Sequence, residues 1–197
     1  MQFVQEEFNV TVEIKKSKFI AYLFPYEKFD EVMEKLKIEH PKARHFVYAY
    51  RYLNEFDQVV ENSSDDGEPK GTSGKPSLAV LTGMEIINSG VIIVRYFGGI
   101  KLGTGGLVRA YGDAVNEILK CAKLFEYKKL IEKKLNFEYS YLSKVEYLLN
   151  KYDIIATKKI FESNVILYIQ ASQEQLDKLA NELDRECKIE EIEFEKK

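Results

Sequence analysis

The sequence has few cysteines, few prolines, no tryptophan and no long apolar run. Its two cysteines, Cys121 and Cys187, cannot form a disulfide framework and do not stand in a C-x-x-C pair, so a reducing cytoplasm is expected. The longest unbroken apolar run covers residues 19–24, whereas a membrane-spanning helix needs about 18 residues or more. The first residues lack the basic and apolar segments of a signal peptide. We therefore expect no membrane-spanning helix and no signal peptide. The 197 residues are enough for one large or two small domains.

Glycine is confined to one part of the chain, because all 11 glycines lie in residues 67–112. The same stretch has a net charge of +3, whereas residues 1–66 carry −4 and residues 113–197 carry −2. Glycine allows close backbone approach and positive φ at a cost in chain entropy. The concentration therefore predicts a site built largely from backbone atoms. A run of tight turns is the alternative, since turns use glycine for the same reason.

The pattern of apolar residues predicts strands and helices along the first two thirds of the chain. Period-two alternation or β-branched runs predict four strands, at residues 10–14, 18–24, 46–52 and 91–97. Helical spacing predicts three helices, at residues 27–38, 76–87 and 107–127. Two segments are left as loops, the polar residues 62–77 and the glycine-rich residues 98–106. Loops of this length are often functional or disordered.

The composition changes after about residue 128, because glycine stops at Gly112 and proline at Pro76. Polar residues 127–134 are a predicted linker. The six elements predicted beyond it are residues 135–141, 144–151, 154–161, 165–171, 173–185 and 189–194, with Ser143 and Ser172 as helix N-caps. Their order is βαββαβ, that of a ferredoxin-like domain. The sequence thus predicts an α+β protein with domains at residues 1–128 and 135–197.

The loop at residues 98–106, which lies between a strand and a helix, is the sharpest local feature. N–H groups at a helix N-terminus bind anions, and Lys101 and Arg109 add positive charge. The helix dipole disfavours Arg109 in a first turn, a conflict that an anionic partner would remove. The alternative is a surface pair between Arg109 and Asp113. The nucleotide-binding patterns G-x-G-x-x-G and the P-loop both fail here, so ATP hydrolysis is not predicted.

A second loop, residues 71–76, repeats the arrangement of small residues and a lysine before a helix. We expect the two loops to converge on one surface that contacts phosphate groups through backbone donors and basic side chains. The candidate anion- and nucleic-acid-binding residues are Gly71, Thr72, Ser73, Gly74, Lys75, Arg95, Gly98, Gly99, Lys101, Gly103, Thr104, Gly105, Gly106 and Arg109.

Other kinds of site have weaker support. Asp65, Asp66 and Glu68 could bind a metal, but three acids in one loop are more often simply solvated. Ser73, His45 and Asp66 could be drawn as a triad, as in any chain of this size. Alternating aromatics at residues 46–52 could stack bases, although such a stripe is usually core. We predict no catalytic residues, no metal and no cofactor.

Four segments resemble the YigZ/Impact family. They are residues 15–21, residues 40–45 with 49–51, residues 65–76, and residues 94–112. The last two are long and specific, with Lys70 as a minor departure where a small residue is expected. The resemblance covers residues 15–125 and extends to the overall architecture of residues 135–197.

The resemblance implies an N-terminal α/β sandwich like the fourth domain of elongation factor G, followed by a ferredoxin-like domain like its fifth. It also implies a role near translation, since eukaryotic Impact proteins act in translational control through a partner protein. We therefore expect a cytoplasmic, non-enzymatic regulator that binds RNA or the ribosome. The alternatives are an enzyme or sensor for a small phosphorylated ligand, and a protein-interaction module that contacts a translation factor. The oligomeric state is not predicted.

Overall fold

The computed structural model describes residues 1–191. Contacts divide the chain into two compact units, Met1–Tyr127 and Lys128–Lys197. No helix within residues 1–191 is long and apolar enough to cross a membrane.

The first unit is built on a five-stranded antiparallel sheet. The first unit has seven strands in total, which in chain order are β1 (Gln2–Phe3), β2 (Phe8–Ile14), β3 (Ser17–Pro25), β4 (His45–Leu53), β5 (Val59–Ser64), β6 (Ser89–Tyr96) and β7 (Phe125–Glu126). The sheet has the order β2-β3-β6-β4-β5, while β1 and β7 form a separate antiparallel pair. The central strand β6 is buried at all but its last position, which explains its continuous apolar run.

Three helices cover the two faces of this sheet. They are α1 (Phe29–Glu39), α2 (Gly74–Gly83) and α3 (Gly103–Cys121). Val32 and Leu36 of α1 pack with Tyr22 and Phe24 on one face. On the other face α2 and α3 cover Phe19 and its neighbours, because successive strand residues point to opposite faces. Each large apolar side chain buried in this way stabilises the fold by about 1.5–3 kcal/mol.

The second unit is a four-stranded antiparallel sheet with two helices. Its elements are β8 (Ile131–Phe137), α4 (Leu142–Lys151), β9 (Ile155–Phe161), β10 (Val165–Ala171), α5 (Gln173–Glu182) and β11 (Lys188–Glu190). The sheet order is β11-β8-β10-β9, so the predicted βαββαβ arrangement is confirmed. Leu135, Leu167 and Ile169 pack against Leu148 and Leu179 from the helices. This unit therefore has a core of its own.

The structure corrects several boundaries in the first unit. The strand β5 was missed, since its polar residues at the sheet edge show no alternation, and the polar loop shortens to residues 65–73. The glycine-rich loop shortens as well, because α3 begins at Gly103 rather than at Leu107. The same helix ends at Cys121 rather than at Tyr127. Four of the nine residues of the predicted loop, 103–106, thus form the first turn of a helix.

In the second unit the two predicted N-caps differ in outcome. The cap at Ser172 is confirmed, because its side chain accepts a hydrogen bond from Gln175 N–H and the Gln175 side chain bonds back. The cap at Ser143 is wrong, since α4 begins at Leu142 after a 3₁₀ turn. The predicted last strand reached residue 194, and its residues 192–194 lie outside the described residues.

Candidate functional site

Asp65 binds the loop N–H groups that the sequence assigned to a phosphate. Its carboxylate accepts hydrogen bonds from the N–H groups of Gly71 at 2.6 Å, Ser73 at 3.0 Å and Gly74 at 2.9 Å. Burial alone would raise the Asp65 pKa, but these hydrogen bonds and the charge of Lys75 outweigh it and lower the pKa. The predicted role of the three N–H groups as phosphate donors is therefore corrected, because a carboxylate of the same chain already binds them.

The rest of this loop is also committed to internal contacts. Thr72 and Ser73 are buried, and the Thr72 hydroxyl donates to the carbonyl of Pro69 at 2.6 Å. Gly74 lies so close to β5 that a Cβ there would be 2.7 Å from the Ser64 backbone. This close approach explains the glycine without a ligand. Of the predicted residues in this loop, Lys75 is the exposed one.

Arg95, a predicted phosphate contact, pairs with a buried carboxylate instead. Its Nη1 lies 2.5 Å from Oε1 of Glu68, and the two side chains are 8% and 4% exposed. The Tyr111 hydroxyl donates to the same Glu68 oxygen at 2.9 Å. Burial first, and then the neighbouring Glu68 charge, raise the Tyr111 pKa, so this phenol stays a donor. The guanidinium also lies 5.4 Å from the Phe19 ring centroid. The positive charge of Arg95 is therefore balanced inside the protein.

A cavity of about 490 Å³ lies beside this ion pair, and we call it the cationic cleft. Its wall consists of Arg44, His45, Glu68, Pro69, Arg95, Phe97, Lys101, Leu102, Gly103, Thr104 and Leu107. Arg44 and Lys101 are exposed and form no ion pair within residues 1–191. Since Glu68 and Arg95 balance each other, Arg44 and Lys101 give the cleft a net positive charge.

His45 adds a polar group at the start of β4. Its Nδ1 lies 2.8 Å from the backbone oxygen of Asp66. Because a carbonyl oxygen only accepts, Nδ1 carries the proton. The neutral ring then has an acceptor at Nε2, whereas the charged ring would have a second donor there.

The N-terminus of α3 closes one side of the cleft. Its first turn has no acidic residue and no capping side chain, so the positive end of the helix dipole is uncompensated. Gly103 has a φ of +73°, a left-handed value that suits glycine. Gly103 and Thr104 are both exposed and both line the cleft. This combination of helix N-terminus and basic side chains is what an anion needs.

The other predicted residues of the second loop lie outside the cleft wall. Gly98 is held against the hairpin that joins β2 and β3, where a Cβ would lie 2.0 Å from the Lys16 carbonyl carbon. Gly99 has a φ of +85° and forms the turn. Gly105 and Gly106 belong to the first turn of α3, and Arg109 is exposed further along the same helix.

The weaker hypotheses can also be placed in the structure. Ser73 is fully buried, and His45 faces the backbone of Asp66 rather than its carboxylate. No triad geometry results. Within residues 1–191 no three His, Cys, Asp or Glu side chains are grouped as metal ligands.

Sequence reasoning missed Arg44 and Glu68 as parts of the site. Arg44 directly precedes β4. Its neighbour His45 is the first residue of that strand, which pairs with β6. Glu68 stands 27 residues from its partner Arg95, and no local pattern signals such a pair. The basic pair Arg44–His45 at the start of an aromatic strand was the available signal.

Comparison with known proteins shows the family to which this chain belongs. The model of the Impact N-terminal domain matches residues 15–119. An IMPACT family member of Haemophilus influenzae is 40% identical over 177 residues, which cover 87% of this chain and 84% of that protein. The Escherichia coli protein IMPACT family member YigZ is 40% identical over 164 residues, which cover 82% and 80%. A crystal structure described as that of a hypothetical protein is 36% identical, with a TM-score of 0.64 and 98% of both chains covered. The family resemblance seen in the sequence is thereby confirmed, and the chain belongs to the IMPACT family.

Proposed function

We propose that the chain is a cytoplasmic, non-enzymatic regulator of translation that binds RNA or the ribosome through the cationic cleft. The translation part of the proposal depends on the family, since the resemblance implies translational control for its eukaryotic members. The binding part depends on one observation. Two basic side chains without ion-pair partners in residues 1–191, Arg44 and Lys101, line the same cavity as the uncapped start of α3.

The chemistry of the cleft suits a phosphate group. Arg44 offers a planar set of donors and Lys101 a mobile point charge, while Gly103 and Thr104 lie at the positive end of a helix. Phosphate contacts of this kind position a nucleic acid without reading its sequence. We therefore expect weak sequence preference and a footprint of few phosphates.

The Glu68–Arg95 pair supports the cleft rather than binding the phosphate. Glu68 holds the guanidinium through Nη1, and Tyr111 holds Glu68. Glu68 is itself part of the cleft wall and its carboxylate opposes simple polyanion binding. The net positive charge of the cleft therefore comes from Arg44 and Lys101. Lys75 and Arg109 would contribute only at long range.

A second candidate follows from the size of the cleft. Its volume of about 490 Å³ lies within the usual range for small-molecule sites, about 300–1,000 Å³. A sensor or enzyme for a small phosphorylated ligand would use the same basic groups. The two candidates differ in whether long RNA or a mononucleotide is bound at physiological salt.

The proposal predicts that Arg44→Ala/Lys101→Ala weakens association with RNA or ribosomes and lowers its salt dependence. Two lost phosphate contacts should reduce the slope of log K against log salt by about 1.4 for single strands. Folding stability should change by less than about 1 kcal/mol, since exposed charges contribute little. Fluorescence anisotropy with single-stranded RNA and ribosome pelleting, each across a salt series, measure this.

The matched control is Lys28→Ala/Lys37→Ala, which removes two exposed lysines, one just before α1 and one within it, that form no ion pair within residues 1–191. It keeps the same net charge as the test variant. Equal loss in both variants would mean that overall charge, not the cleft, drives binding. Unchanged RNA and ribosome binding in the cleft variant, with lost binding of a nucleoside monophosphate, would favour the second candidate.

A further inference from the structure

The aromatic stripe on β4 continues into an aromatic cluster on the face that carries α1. Tyr26 stacks on Tyr52 with ring centroids 4.0 Å apart and lies 4.8 Å from Tyr50. Phe29 meets Tyr48 at 5.1 Å and Tyr50 at 5.2 Å, both edge to face. All five rings are only partly buried. The stripe is therefore neither a closed core nor a set of separate rings.

Two cavities adjoin this cluster, and we call them together the tyrosine groove. One of about 240 Å³ is lined by Tyr26, Glu27, Phe29, Asp30, Tyr48 and Tyr50. The other, of about 410 Å³, is lined by Phe3, Val4, Gln5, Pro25, Tyr26, Glu27, Tyr52, Leu53 and Asn88. Tyr26 and Glu27 belong to both, so the cavities are neighbours along one surface. Neither wall contains a lysine or an arginine.

The tyrosine groove is negatively charged, and two carboxylates supply the charge. Glu27 and Asp30 are exposed and form no ion pair within residues 1–191. Burial and hydrogen bonding to Tyr52 raise the pKa of Tyr26 to about 12, so its hydroxyl is neutral at physiological pH. The two carboxylates therefore carry the charge, beside ring faces that also attract cations.

We propose that the tyrosine groove docks an arginine-bearing segment of a partner protein. The guanidinium enters the smaller cavity, where it stacks on an aromatic ring and pairs with Asp30 and Glu27. An apolar neighbour of that arginine occupies the larger cavity, against Phe3, Val4 and Leu53. A planar guanidinium fits this arrangement better than an ammonium group, because it can stack and hydrogen-bond at once.

The proposal stands apart from the cationic cleft, because it uses different residues and a ligand of opposite charge. A stripe of tyrosines could also stack bases. The unpaired carboxylates on the rim disfavour a phosphate backbone, so the charge selects a basic peptide over a nucleic acid.

The test uses the full chain and two capped peptides, Gly-Arg-Leu-Gly and its twin with citrulline in place of arginine. Citrulline keeps the shape and removes the charge. We expect the arginine peptide to shift the NMR signals of Tyr26, Tyr48 and Tyr50 in a saturable way, and the citrulline peptide to bind at least about tenfold more weakly. Glu27→Gln/Asp30→Asn should weaken the arginine peptide by about tenfold. Glu34→Gln, an exposed change on α1 outside both cavities, should leave it unchanged.

Three outcomes would overturn the proposal. The first is equal binding of the two peptides, and the second is saturable shifts elsewhere in the chain with none at the tyrosines. The third is a single-stranded RNA that shifts the tyrosine signals more strongly than the arginine peptide. Because Glu27 and Asp30 are exposed, their variants keep the fold, and one-dimensional spectra of each variant confirm this before titration.

Discussion

At the scale of single residues, Asp65 determines what the loop before α2 can do. Backbone N–H groups of this kind bind phosphate in many proteins, and the sequence shows the small residues without showing their partner. The partner is a carboxylate six residues before Gly71 and nine before Gly74. Composition cannot reveal this pairing, since it depends on how the chain turns at Gly67 and Gly71, where φ is positive. Asp65 thus fixes the start of a helix rather than a ligand.

Replacing Asp65 with asparagine should destabilise the first unit by about 1–3 kcal/mol at pH 7, because three hydrogen bonds to a charged acceptor are weakened. The pKa of Asp65 in the folded protein lies below its ordinary value of 3.8, so the stabilising contribution of Asp65 is complete above that ordinary value. The contribution is lost as the pH falls through the lower, folded pKa. Urea melts at pH 7 and pH 3 should therefore differ less for Asp65→Asn than for the parent. Asp113→Asn, exposed on α3, should match the parent at both pH values.

At the scale of elements, glycines that look alike in the sequence have unlike roles. Gly98 lies against the backbone of the hairpin at Lys16, where a Cβ has no room. Gly105, in contrast, lies in the exposed first turn of α3 with open space around it. A helix does not need glycine at such a position, and alanine is the better helix former. The same residue type therefore marks a close contact in one case and a weak helix start in the other.

Gly105→Ala should raise the stability of the first unit by about 0.5–1 kcal/mol, because alanine loses less chain entropy in a helix. Gly98→Ala should lower it by more than about 3 kcal/mol, since the backbone of Lys16 and Ser17 would have to move. Chemical denaturation of the two variants measures both changes. A destabilising Gly105→Ala would contradict a helical, uncrowded position for Gly105 in the first turn of α3.

Strands and helices with a strong local sequence pattern were predicted more accurately than those without one. Strand β4 was predicted almost to the residue, because Tyr48, Tyr50 and Tyr52 alternate with residues on the opposite face. Strand β5 was not, because an edge strand need not bury either face and its residues are mostly polar. The cleft was predicted in part. Lys101, Gly103 and Thr104 lie near one another in the chain, whereas Arg44 and Glu68 reach them only through the fold.

At the scale of the whole molecule, each unit has its own hydrophobic core. Residues 128–130, which begin the second unit and precede β8, are exposed and have no regular structure. Exposed segments between separate cores are where proteases cut first. The linker before β8 is shorter than the predicted residues 127–134, because β8 begins at Ile131.

Brief trypsin treatment should cut after Lys128 or Lys129 before other sites and leave two pieces that both retain far-UV circular dichroism. Lys128→Gln/Lys129→Gln removes these sites and should slow the first cut by at least about tenfold, with folding unchanged. An early cut after Lys70 or Arg44 instead, followed by loss of both pieces, would contradict independent folding of the units.

The strand order of the first sheet also has a consequence for how the chain acquires its structure. The middle strand, β6, is the last of the five to be synthesised, yet it joins the β2–β3 and β4–β5 pairs. Until residues 89–96 leave the ribosome, each hairpin lacks its neighbour and exposes the unpaired backbone N–H and C=O groups of a strand edge. Long-range pairing of this kind slows folding, because the loops must close before the contacts form. A nascent chain that stalls before β6 would therefore be a candidate for chaperone binding.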